Sequence, residues 1–144
     1  MDLQEISDRL EIEAVLHRYT RAIDSGEWDL LDRVFTPDAP IDYTATGGIA
    51  DVYPTVKAWL AENLPMFPRR QHVLGQIVTD LAPDGDGDRA EVTAYFLNPM
   101  LLPQADGSEL LWEFGGFYRH SMVRTPDGWR SARLFEELSW KRGI

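Results

Sequence analysis

The sequence predicts an α+β fold: N-terminal helices packed in a strongly curved, mixed but mostly antiparallel sheet, a cone-shaped α+β barrel. Three observations predict it. The apolar period is close to 3.6 up to about residue 66 and changes to 2 beyond it. Turn signals at PDGDGD (83–88), PQADGS (103–108) and TPDG (125–128) divide the second half into strand-like runs. Those runs are about twice the usual length of ~5–6 residues, and a long, strongly twisted sheet must curl.

From Leu3 to Ile23, apolar residues recur at Leu3, Ile6, Leu10, Leu16, Tyr19 and Ile23, which predicts a long amphipathic helix. DSGEW interrupts it, and a short second helix follows with Trp28, Leu31, Val34 and Phe35 inside. TPDAP ends that helix, IDYT reads as a short strand and ATGG as a loop. From Asp51 to Met66 helical spacing returns at Val52, Val56, Trp59, Leu60 and Leu64, with Pro54 in the first turn and Pro65 and Pro68 closing it. The strand runs cover roughly 69–82, 89–102, 109–124 and 129–141. Their short connections make consecutive strands antiparallel neighbours. Gly115-Gly116 marks where the third run bends.

The third run is apolar on both faces: Leu110, Trp112, Phe114, Tyr118 and Met122 on one, Leu111, Phe117 and Val123 on the other. A sheet of that kind needs cover on its convex side, and the simplest cover is another copy. A homo-oligomer is expected, dimer or trimer.

The 144 residues fit one domain, 1–144. A net charge of −10 argues against nucleic acid or an anionic membrane as partner, since both need basic patches. The absence of cysteine removes disulfides, thiolate nucleophiles and zinc–thiolate sites together. The acidic start MDLQEISDRLEIEA lacks the basic and apolar regions of a secretion signal, and no apolar run approaches the ~20 residues of a membrane span. A cytoplasmic location is the expectation.

The chemistry-bearing residues are few. Of three histidines, His17 lies among charged neighbours on the first helix and reads as surface. His120 falls on the aromatic face of the third strand, in core or pocket. His72 opens the first strand, where an imidazole needs a partner. Asp24, at the end of the long helix, is the candidate partner; DSGE also matches a capping box with Asp24 as N-cap and Glu27 at N3, and periodicity alone leaves the two roles open. A carboxylate bound to one imidazole nitrogen fixes the tautomer and leaves the other free as a base. Tyr19, Tyr43 and Tyr95 are candidate donors to a substrate oxygen, or amphipathic residues at the edge of the core. GDGDR lacks the third glycine of a dinucleotide fingerprint and has Arg89 where a calcium loop needs glycine, so it reads as a hairpin turn. Neither cofactor nor metal is implied, and acid–base chemistry is the expectation.

RYTRAIDSGEWDLLDRVFTPDAPIDYT, then RQHVLG, then TPDGWRSARL, resembles the SnoaL-like and scytalone dehydratase-like group of the nuclear transport factor 2-like superfamily. The resemblance runs from about Leu3 to Lys141. In scytalone dehydratase and the similar bile acid 7α-dehydratase, an aspartate before the tryptophan pairs with a histidine opening the first long strand. Those positions match Asp24 and His72, and active-site tyrosines of the two enzymes match Tyr43 and Tyr19. By the same alignment a second histidine falls on Phe96, a serine and an asparagine near Phe117 and Arg119, and a tyrosine on Ile23. Substrate contacts are therefore expected from Trp28, Tyr95, Phe96, Phe117 and Arg119. The resemblance implies a cofactor-independent dehydratase for a small apolar, cyclic β-hydroxy carbonyl compound, polyketide- or steroid-like. A polyketide cyclase or ketosteroid-type isomerase would use the same proton abstraction. A non-catalytic ligand-binding or assembly domain would use Asp24 and His72 only as a structural pair.

Overall fold

The computed structural model describes all 144 residues, Met1–Ile144. Helix α1 spans Leu3–Ser25, capped by Asp2, whose carboxylate accepts from the Glu5 amide at 2.8 Å. It stops at Gly26, whose φ of 74° is open to glycine without steric cost. The expected short second helix is a 3₁₀ turn, Trp28–Arg33. Strands β1 (Pro40–Asp42) and β2 (Ala50–Val52) flank another 3₁₀ turn, Thr44–Thr46, and helix α2 runs Tyr53–Asn63. Strands β3 (Arg69–Arg70), β4 (Val73–Leu81), β5 (Arg89–Pro103), β6 (Glu109–Thr125) and β7 (Gly128–Arg142) complete the chain.

One sheet results, in the order β2-β1-β7-β6-β5, with both β3 and β4 hydrogen-bonded to β5. β4 to β7 form the expected antiparallel meander, and the parallel pairing of β1 with β7 makes the sheet mixed. The sheet is curved and open, with α1 and α2 against its inner face. The β6–β7 register shifts between Gly115 and Gly116, a bulge at the expected bend. A Cβ on Gly116 would collide with the Glu137 carbonyl, so the close approach requires glycine. Even-numbered residues of β5 and β6, from Ala90 to Met100 and from Phe114 to Met122, face inward against Ile12, Leu16, Tyr19 and Ile23 of α1.

Three expectations are corrected. The apolar stripe of α1 does not bury its N-terminal half: Leu3, Ile6 and Leu10 are exposed, and Asp8 turns inward. The cause is polar, since both Asp8 oxygens accept from the Arg124 guanidinium, at 2.8 and 2.9 Å, and Oδ1 also accepts from Trp129 Nε1. The DSGE box does not form: Asp24 belongs to α1, and the 3₁₀ turn begins at Trp28, with Glu27 at its N-cap and no side-chain cap. The run 69–82 is broken at Gln71-His72, because the His72 amide donates to Asp24 Oδ2 at 2.7 Å instead of to a neighbouring strand.

Candidate active site

A cavity of about 240 Å³ opens between α1, α2 and the inner face of the sheet. Twelve of its eighteen lining residues are hydrophobic, among them Trp59, Phe67, Met100, Trp112 and Phe114. Its polar groups are concentrated on two walls.

The first wall presents His72, with Asp24 behind it. The Asp24 carboxylate accepts twice from one residue: Oδ2 from the His72 amide, Oδ1 from Nδ1 at 2.6 Å. With Nδ1–H committed to the carboxylate, Nε2 carries the lone pair and has no partner in the protein. The imidazole lines the cavity although its side chain is only 3% exposed, so it is shielded from bulk water. Arg70 holds both sides of this junction, donating from Nε to the Ile23 carbonyl at 2.8 Å and from Nη1 to the Phe67 carbonyl at 2.9 Å.

The second wall is phenolic and carboxylic. Tyr19 and Tyr43 share a 2.5 Å hydrogen bond between hydroxyls. Tyr118, from the facing strand, packs edge-on to Tyr19 at 5.3 Å and stacks on Phe96 at 4.1 Å. Burial raises all three phenols above their ordinary range, so at neutral pH they are hydrogen-bond donors and not bases. Glu136, paired across strands with Tyr118, accepts from Thr46 Oγ1 at 2.6 Å. Burial pushes its carboxyl up to about 7, against the pull of Thr46 and Tyr118 and with the help of Asp42.

His72, Tyr19 and Tyr43 thus come together around one hollow, with Asp24 behind His72 and hydrogen-bonded to it. The expected substrate contacts do not join them. Tyr95, Phe117 and Arg119 are odd-numbered residues on the outer face of the sheet, where Arg119 pairs with Glu137. Phe96 is buried behind Tyr118, which separates it from the hollow. Trp28 lies outside the cavity, under the Arg70 guanidinium at 5.5 Å. His120 is core: Nδ1 is 2.8 Å from Ser131 Oγ, Nε2 has no partner, and burial lowers its pKa to about 3. The groups that do line the hollow and went unread are Thr46, Asn98, Trp112, Tyr118 and Glu136. Alternation along β6 already placed Trp112 and Tyr118 on one face, and that was the available signal.

The SnoaL-like domain model matches residues 4–134. The chain is a SnoaL-like domain. This SnoaL-like domain is 46% identical over 142 residues to the uncharacterized protein Rv2910c of Mycobacterium tuberculosis, covering 99% of this chain and 92% of the relative. The crystal structure of the Kfla4162 protein from Kribbella flavida superposes with a TM-score of 0.85 at 30% identity, over 96% of this chain and 95% of that one. Hexachlorocyclohexane dehydrochlorinase LinA-type3 from Novosphingobium barchaimii superposes with a TM-score of 0.81 at 15% identity, over 100% and 94% of the two chains, and so shares the fold. No helix of this SnoaL-like domain is long and apolar enough to cross a membrane.

Proposed function

We propose that this protein is a cofactor-independent dehydratase acting on a compact, cyclic β-hydroxy carbonyl compound. The observation that carries the reading is the Asp24–His72 pair with its free Nε2 on the wall of an apolar cavity. His72 Nε2 removes the proton from the carbon next to the carbonyl, and Asp24 stabilises the imidazolium that forms. The C–H electron pair moves to the carbonyl oxygen, where the Tyr19–Tyr43 pair supplies a hydrogen-bond donor. The enolate then collapses, the β C–O bond breaks, and the hydroxyl leaves as water with the proton held by His72. The likeness in fold to a dehydrochlorinase supports an elimination, since that enzyme's name also describes the joint loss of a proton and a leaving group.

The reading extends to assembly. Tyr95, Leu97, Phe135 and Trp140 remain exposed on the outer face of the sheet, and a second copy is the proposed cover.

The test is turnover of cyclic β-hydroxy ketones followed by product mass. The wild type yields a product lighter by one water, and His72→Ala lowers turnover about 10²–10⁴-fold with an unchanged circular dichroism spectrum. A product of unchanged mass would assign isomerisation or cyclisation to the same base. Equal turnover by the folded His72→Ala variant would remove His72 from the chemistry.

A further inference from the structure

Glu136 is the one carboxyl group on the second wall of the cavity, and the dyad mechanism leaves it without a task. A buried carboxylate is costly unless cations or several donors surround it. No cation acts on Glu136, and only one donor lies within normal hydrogen-bond length. From the 3₁₀ turn, Thr46 donates to Oε1. From β6, the residue after β1, and α1, the facing groups are the phenols of Tyr118, Tyr43 and Tyr19, and the one charged group acting on the carboxyl is Asp42, of like sign. On β7 its inward neighbours are apolar, Leu134 and Leu138. With Oε1 taken by Thr46, Oε2 is the oxygen left to carry a proton on the wall of a largely apolar cavity, and a carboxyl group near its own midpoint at neutral pH can do so.

Resting on the reading of this cavity as an active site, we propose that Glu136 is a further catalytic residue, an uncharged acid whose O–H donates a hydrogen bond to the substrate oxygen on which negative charge gathers. The accounting is closed. The α-proton passes to His72 Nε2, its electron pair moves to the carbonyl oxygen, and that oxygen accepts from Glu136 and the tyrosine pair. When the β C–O bond breaks, the pair returns, the His72 proton leaves as water, and Glu136 keeps its own proton throughout. The same geometry sets a specificity. Ligands offering a neutral carbonyl, or an enolate or phenolate with one oxygen for Glu136, are accepted. Carboxylate ligands meet a wall with no cation and are rejected.

4-Nitrophenol, whose absorbance reports its ionisation, serves as an enolate mimic that needs no knowledge of the substrate. In the wild type, affinity falls about tenfold per pH unit once the pH exceeds both the nitrophenol and carboxyl values, because two anions can no longer share a proton. Glu136→Gln keeps a donor at every pH and removes that alkaline decline. An infrared titration of the unliganded wild type should show a protonated-carboxyl band that disappears through about pH 7 and is missing in Glu136→Gln. His72→Ala should retain the pH-dependent nitrophenol binding, which separates the fate of this proposal from that of the dyad mechanism. The same alkaline decline in wild type and Glu136→Gln, or the absence of a carboxyl band titrating near neutrality, overturns the assignment.

Discussion

Glu136 lines the cavity and Asp24 stands behind the cavity-lining His72, and their surroundings fit the two carboxyls to different tasks. Asp24 accepts from a backbone amide and an imidazole, which commits both of its oxygens to orienting His72. Glu136 has only a threonine hydroxyl within normal hydrogen-bond length, and burial raises it to about 7. The shift has a consequence for stability that can be checked without substrate. Above the ordinary glutamate value of 4.5 the unfolded chain releases this proton, whereas the folded chain keeps it to about 7. The fold therefore loses stability as pH rises across that window, by roughly 3 kcal/mol in total, and the loss is complete above it. Glu136→Gln abolishes the term. Denaturant unfolding of both proteins should show the variant gaining on the wild type as pH rises from about 4.5 to 8. His120, held neutral by burial, costs stability in the other direction, as pH falls from 6.5 toward 3, and does so equally in both proteins. Equal pH dependence of the two would mean that Glu136 is ionised in the fold. Asp24 and His72 were legible because each lies in a short local motif, DSGEW and RQHVLG. Glu136 was not, for a reason of register: Trp129 and Ser131 face inward, and counting by twos points to Glu137. A shift between Ser121 and Met122 in the β6–β7 pairing absorbs Ala132 and turns Leu134 and Glu136 inward instead.

The elements that hold the cavity are fixed at both ends of α1. At its C-terminal end, Gly26 stops the helix so that Asp24 meets the break between β3 and β4. At its N-terminal end, Asp8 ties the helix to the β6–β7 hairpin through Arg124 and Trp129. The Arg124 hydrogen bonds hold the Asp8 carboxyl down to about 2, against the effect of burial. Its contribution is present above the ordinary aspartate range and is lost only as pH falls through that low value. Asp8→Ala should destabilise the protein by about 2–3 kcal/mol, because it removes charged hydrogen bonds and leaves the Trp129 indole N–H buried without a partner. Urea unfolding at neutral pH measures this, and a loss within error would make the cluster ornamental. The same cluster explains why periodicity placed α1 correctly but oriented its first turns wrongly. A hydrophobic count treats an aspartate as outward-facing and has no means of weighing an arginine and a tryptophan more than a hundred residues away. The strand boundaries were easier, since β5, β6 and β7 are bounded by turns whose chemistry is local.

At the scale of the whole molecule, the curved sheet has two apolar faces with different fates. The inner face closes on α1 and α2 and leaves the cavity. The outer face keeps Tyr95, Leu97, Phe135 and Trp140 between 37% and 44% exposed, grouped with Phe117 on neighbouring strands. Aromatic and aliphatic side chains gathered on adjacent strands form the kind of patch that a soluble chain covers. Its polar relief is local, through the Arg119–Glu137 pair and Thr93. Cover by a second copy leaves the cavity unobstructed, because the hollow opens on the opposite side of the sheet. Assembly and ligand binding should then be separable. Sedimentation velocity at micromolar concentration should give a dimer or trimer for the wild type. Leu97→Glu combined with Trp140→Glu should give a monomer, since each added charge would have to be buried unpaired. The monomer should bind 4-nitrophenol with the wild-type affinity. A monomeric wild type would leave the outer face without this cover, and lost binding in the double variant would mean that the two faces are coupled through Gly115, against which the Trp140 ring packs.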